Sequence, residues 1–395
     1  MYKYLALIVF AVLAQTARAQ YNYDEAKVPA YHLPEILKTN SGKPVTTVAQ
    51  WQKTRRPEIL ALFEQNVYGT IPKTFDGIKY KVTHTESNAM GGKAHLKEVA
   101  ITVTNAGKSA TINMVMFVPN ARKRAAPVFL LINNRDKNNT DPTRAVKSEF
   151  WPAEMAIDSG YAIAAISVED AAPDNKNTYQ NGVLQLYPRQ LTAPDGMKAI
   201  GAWAWAASRV MDYFETDKDI DAKKVALVGH SRGGKTALWA GAQDQRFDMV
   251  FASCSGNTGA SLSHRRFGET IKAINDAFPH WFADNYKKYN DNEAALPVDQ
   301  HMLIAMIAPR PVYTTNATKD LWADPKGSYL SIQYAKQVYD LFGKPSALSQ
   351  QPPPVNTPII NSTIGYHIRE GIHNLTAYDW SNFIRFANYH YHQPQ

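Results

Sequence analysis

The run Lys224-Val225-Ala226-Leu227-Val228-Gly229-His230-Ser231-Arg232-Gly233-Gly234-Lys235 contains the pattern Gly-x-Ser-x-Gly around Ser231. The pattern alone is common by chance. Here, however, an apolar run enters it and an Ala- and Leu-rich stretch, Thr236 to Ala242, leaves it. Strand, sharp turn and helix are the setting of a nucleophile elbow, which presents a serine hydroxyl above a sheet. Side chains two residues to either side would strike the neighbouring strand and helix, hence Gly229 and Gly233.

A serine hydroxyl is a poor nucleophile at neutral pH and needs an imidazole base, which in turn needs an orienting carboxylate. On the fold that carries such elbows the chain order is Ser, acid, His. The apolar run Pro311 to Asn316 is followed by Ala317-Thr318-Lys319-Asp320, which makes Asp320 the first candidate acid. Asp324, four residues on, is the alternative acid or else a helix N-cap. The base is expected on a loop near the C-terminus, and His373 lies between a strand expected over Ile359 to Ile368 and a helix expected over Thr376 to Tyr389. His367 reads as structural within that strand, and His390 and His392 read as solvated tail residues. An oxyanion needs N–H donors. The backbone of Arg232 supplies one, its guanidinium is a further cation, and the loop Asn133-Asn134-Arg135-Asp136 is the place for another donor.

These residues need a frame. Ile78 to His84, His95 to Thr104 and Ala110 to Val118 alternate with period two, as antiparallel strands do. Short, nearly continuous apolar runs follow: Val128 to Ile132, Ala162 to Val168, Val225 to Val228, Met249 to Ser253 and Val312 to Thr315. Such runs belong to parallel strands covered on both faces. Helical stretches lie between them, among them Asp195 to Phe214 and Lys235 to Asp244. The expectation is an α/β-hydrolase fold: a mainly parallel sheet flanked by helices, with N-terminal antiparallel strands, in one catalytic domain over residues 20–395.

The 395 residues are 45% hydrophobic and 20% charged, a balance that excludes intrinsic disorder. Lys3, the apolar run Leu5 to Ala14 and Ala17-Arg18-Ala19 form a signal-peptide pattern, with cleavage expected after Ala19. That run is too short to span a bilayer, so an exported protein with no membrane partner is expected, periplasmic or secreted. Taking Lys3 and Arg18 from the 43 basic side chains leaves a net charge of about +6 against 35 acidic ones. The longest basic cluster, Arg122-Lys123-Arg124, is too short to track a nucleic acid, so none is expected as a partner. Cys254 is the single cysteine, which excludes an intrachain disulfide and a cysteine-based zinc site.

Four segments resemble the glucuronoyl esterases, carbohydrate esterase family 15. They are the elbow itself, Arg265-Arg266-Phe267-Gly268-Glu269 leading to Phe278-Pro279-His280-Trp281-Phe282, Leu296 to His301 running into Ala308-Pro309-Arg310-Pro311, and Asp320 to Gly327. The family resemblance implies an α/β-hydrolase that cleaves (4-O-methyl-)glucuronoyl esters between glucuronoxylan and lignin alcohols. It implies Ser231 as nucleophile, His373 as base and Arg232 as an oxyanion partner. It also implies Lys235 and Glu269 as hydrogen-bond partners of the uronate hydroxyls, and Trp322 as a platform for the sugar ring. Many members carry a Glu after the strand that follows the elbow helix, where this sequence has Cys254, so the acid role falls to Asp320. The chemistry needs no metal and no organic cofactor, and a monomer is expected. An acetylxylan esterase or other carbohydrate esterase would share the triad without needing the polar, cationic sugar site. A catalytically dead binding module is disfavoured by the ordered Ser231, Asp320 and His373.

Overall fold

The computed structural model describes residues 21–391. The segment read as a signal peptide and His392 lie outside these residues.

One nine-stranded sheet organises the chain, in the order β1-β2-β3-β5-β4-β6-β7-β8-β9. β1 (Gly77–Ala89), β2 (Ala94–Asn105) and β3 (Lys108–Pro119) form an antiparallel meander. β3 also pairs antiparallel with β5 (Ala162–Ser167). From β5 onward all pairings are parallel, through β4 (Ala126–Asn133), β6 (Ile220–His230), β7 (Met249–Ser253), β8 (Val312–Ala317) and β9 (Ile364–Arg369).

The apolar runs are continuous because each central strand feeds two cores. Val128, Leu130 and Ile132 of β4 pack into one, and Phe129 and Leu131 into the other. The first core holds helices α1 (Ala199–Phe214), α2 (Arg232–Gln243) and α3 (Pro325–Leu341). The second is covered by α4 (Ala377–Tyr391), through Trp380, Phe383 and Phe386. No helix among the described residues is long and apolar enough to cross a membrane.

Three expectations need correction. The last strand starts at Ile364, not Ile359. Asn361, Ser362 and Thr363 make a tight reversal, so Ile359 pairs back antiparallel on Tyr366. Helix α1 starts at Ala199 rather than Asp195, because Gly196 bridges Thr70 in a close approach where a Cβ would lie 2.0 Å from the Gln190 carbonyl. His390 is not a solvated tail residue: its Nε2 meets the Ser362 carbonyl at 3.1 Å, its ring lies 4.6 Å from Phe386, and burial pushes its pKa down to about 4.

Candidate active site

Ser231 joins β6 to α2 with φ 56° and ψ −125°. A positive φ costs a non-glycine residue of order 1–3 kcal/mol and persists only where its surroundings enforce it. The surroundings do so here. The Ser231 N–H donates to the Ser253 carbonyl at 2.8 Å, and its own carbonyl accepts from Gly234 and Lys235 at 2.9 and 3.1 Å. A Cβ on Gly229 would lie 1.9 Å from the Gly233 carbonyl oxygen, so the elbow closes only with glycine there. As the first residue of α2, Arg232 has no intrahelical acceptor for its N–H.

Asp320 and His373 come from the ends of β8 and β9, and their loops are zipped together. Thr318 N–H donates to the Arg369 carbonyl at 3.0 Å, and Lys319 N–H to the Gly371 carbonyl at 2.9 Å. The result is a 2.6 Å bond from His373 Nδ1 to Asp320 Oδ2. Asp320 is buried, while the His373 side chain is 38% exposed. With Nδ1 committed to the carboxylate, Nε2 is the nitrogen left to act as base. The His373 ring lies 4.6 Å from the ring of His230, the residue before Ser231, which brings the imidazole to the elbow. Burial, followed by the neighbouring His373, holds His230 neutral with a pKa well below the ordinary value.

The loop carrying His373 is fixed from beneath. Arg369 donates to the carbonyls of Ile372 and Asn374 at 3.0 and 2.6 Å, and its Nε to Asp379 Oδ2 at 3.0 Å. Asp379 also accepts from His367 Nε2 at 2.8 Å, which gives His367 its structural role.

Asp324 is engaged elsewhere. Its carboxylate accepts from Arg265 Nε and from Gly327 N–H, both at 2.9 Å, so it caps α3. Cys254 occupies the remaining space beside the dyad: its Sγ, a carboxylate oxygen of Asp320 and a ring nitrogen of His373 lie within 4.8 Å of one another. These are the residues here that could face a metal ion. However, burial pushes the thiol far above its ordinary pKa, so it stays protonated, and Asp320 is committed to His373. The donor set fits a hydrogen-bonded acid–base pair.

Lys235 and Glu269 form a buried ion pair at 2.7 Å, and Lys235 also donates to the Asn257 carbonyl. Burial lowers the Lys235 pKa, and Glu269 offsets part of that shift. Glu269 N–H donates to the Trp322 carbonyl at 2.9 Å, and the half-buried Trp322 ring meets Tyr21 edge-on at 4.7 Å. Lys235, Glu269 and Trp322 are therefore one connected wall, on the β7 and β8 side of Ser231.

A sequence model of the fungal glucuronyl esterase family matches residues 101–343. A carbohydrate esterase of an unknown prokaryotic organism is 42% identical, over 94% of this chain and 92% of its own. The chain belongs to the glucuronyl esterase family, carbohydrate esterase family 15. A solved esterase of that family from a marine bacterial metagenome, described as promiscuous, is 41% identical with a TM-score of 0.85, covering 94% of this chain and 100% of that one. The glucuronoyl esterase of Solibacter usitatus is 38% identical with a TM-score of 0.85, covering 93% and 100%. The protein is thus a carboxylic ester hydrolase with the α/β-hydrolase fold.

One functional cluster of this esterase escaped the sequence reading. The Arg232 guanidinium is ion-paired with Asp174, from the loop after β5, and lies 5.1 Å from the Trp281 ring. Asp174 Oδ1 also accepts from His280 Nε2 at 2.9 Å and Trp281 Nε1 at 2.7 Å. Burial alone would raise its carboxyl pKa, but the His280 bond, the Arg232 charge and the Trp281 bond bring it below the ordinary range. Asp174 sits in a loop without periodicity, so only His280-Trp281, within a recognised segment, carried a signal for this cluster. In the loop after β4, the Arg135 N–H is committed to Asn133 Oδ1 at 3.0 Å, which removes it as an oxyanion donor.

Proposed function

We propose that this esterase hydrolyses (4-O-methyl-)glucuronoyl esters joining glucuronoxylan to lignin alcohols, with Ser231 as nucleophile. The observation that carries the reading is the 2.6 Å bond from His373 to Asp320, set beside a strained Ser231. His373 Nε2 takes the Ser231 proton as Oγ attacks the C6 carbonyl carbon. The developing oxyanion is met by the Arg232 N–H and guanidinium. Collapse expels the alcohol, which takes the proton from His373. Water then attacks the acyl-enzyme by the reverse sequence, releasing glucuronate and restoring the serine. No step needs a metal or an organic cofactor. Lys235 and Glu269 hydrogen-bond the uronate hydroxyls, and the sugar's C–H face packs on Trp322.

Residues 1–19 act as a signal peptide, so the mature enzyme works outside the cytoplasm as a monomer. An acetylxylan esterase would not need the buried Lys235–Glu269 pair, and no relative named above is one. Comparing benzyl glucuronate with an acetylated sugar tests the reading: the uronate ester is expected to be strongly preferred, and preference for the acetate contradicts it. Ser231→Ala is expected to lose about 10⁴–10⁶-fold in kcat; near-wild-type turnover removes Ser231 from the mechanism.

A further inference from the structure

Beside Arg232, on the side of Ser231 away from Lys235, Glu269 and Trp322, lies an open cleft of about 1010 Å³. Its walls are the loops after β4 and β5 and the inner part of the β1–β3 meander. None of the three uronate-side residues lines it. Two of its outer-wall residues, Glu98 and Val99, precede the span that the fungal family model matches.

We propose that this cleft binds the alcohol portion of the ester, that the alcohol is a bulky aryl alcohol, and that Arg135 is its specificity-determining residue. The inference rests on the uronate reading above. An ester has two portions on opposite sides of its carbonyl. Sheet order puts β7 and β8 on one side of β6, and β4 and β5 on the other. If the acid portion lies against the β7–β8 wall, the leaving alcohol is directed toward Arg232 and the cleft.

Size and lining select the class of alcohol. Clefts of about 300–1000 Å³ suit drug-sized ligands, and a methyl leaving group would leave this one nearly empty. Met114, Val115 and Ala165 give it an apolar wall. Arg135 lines it too, with its guanidinium carbon 4.5 Å above the Phe150 ring. Phe150 in turn meets His230 edge-on at 5.8 Å, which ties this platform to the elbow. Among the described residues the Arg135 guanidinium has no hydrogen-bond acceptor, unlike Arg232, which is paired with Asp174. One face of a planar cation is therefore covered by an aromatic ring, and the other is open to stack on a second ring. Its N–H edges are free for ether or hydroxyl oxygens.

The test compares kcat/KM for benzyl and methyl glucuronate, whose alcohols have nearly equal acidity and whose acyl-enzyme is the same. Any preference then reports how the alcohol is held during acylation. The wild type is expected to prefer the benzyl ester. Arg135→Ala is expected to lower the benzyl-to-methyl ratio about tenfold, the worth of a well-placed cation–π contact, with the methyl ester little changed. Val115→Trp, which fills the cleft from its apolar wall, is expected to lower the ratio as well. An unchanged ratio in either folded variant overturns the assignment. The same holds if the variants instead slow only an ester carrying a xylo-oligosaccharide, which would give the cleft to the polysaccharide. A wild type that hydrolyses neither glucuronate overturns the underlying uronate reading instead.

Discussion

The two walls of the site differ in kind. On the β7–β8–β9 side, Lys235, Glu269 and Asp320 are buried, and each is held by a short polar contact. On the β4–β5 side, Asp136, Lys137 and Asn138 are exposed around an open cleft, and the one tightly bound cation is Arg232 on Asp174. A rigid, desolvated wall discriminates sharply, because any misfit leaves buried polar groups unpaired. An open wall tolerates variety. The contrast implies an enzyme exacting about the acid portion of its ester and permissive about the alcohol.

The largest effect that could break this contrast concerns the carboxylates. Asp320→Asn is expected to lower kcat by about 10⁴-fold, by misorienting His373. Asp324→Asn should leave kcat within a few-fold but lower stability by about 3–5 kcal/mol, because Arg265 loses its buried partner. Steady-state kinetics together with thermal melts separate the two, and the reverse pattern would move the acid role to Asp324.

A smaller effect sharpens the rigid wall. Trp322→Ala is expected to raise KM about tenfold, the equivalent of about 1.4 kcal/mol, and equally for methyl and benzyl glucuronate. A change confined to one ester would place Trp322 on the alcohol instead. The smallest effect tests the open wall. Asp174→Asn is expected to lower kcat several-fold with little change in KM, because the anchor of Arg232 acts on transition-state charge. Combined with Arg232→Ala it should add nothing further. Additive losses would show that Asp174 serves only packing.

The sequence made the elbow and the parallel strands legible because both leave local marks: fixed glycines at a sharp turn and apolar runs fed into two cores. Asp320 and His373 were legible through chain order, each at the end of an apolar strand. Asp174 was not. Its partners Arg232, His280 and Trp281 lie far along the chain, and no period or motif links irregular loops. The zipped contacts of Thr318 and Lys319 with Arg369 and Gly371 were hidden for the same reason. Ile359 and Ile360 misled because apolar residues at a reversal look like the start of a strand.

The most direct test of the central claim is covalent. Intact enzyme is treated with a serine-directed phosphonate, and the adduct is located by peptide mass spectrometry. One adduct on the peptide carrying Ser231, forming in step with loss of benzyl glucuronate hydrolysis and much slower in His373→Ala, is the predicted result. Hydrolysis that is lost with the label on another residue, or that persists with Ser231 fully labelled, would contradict it.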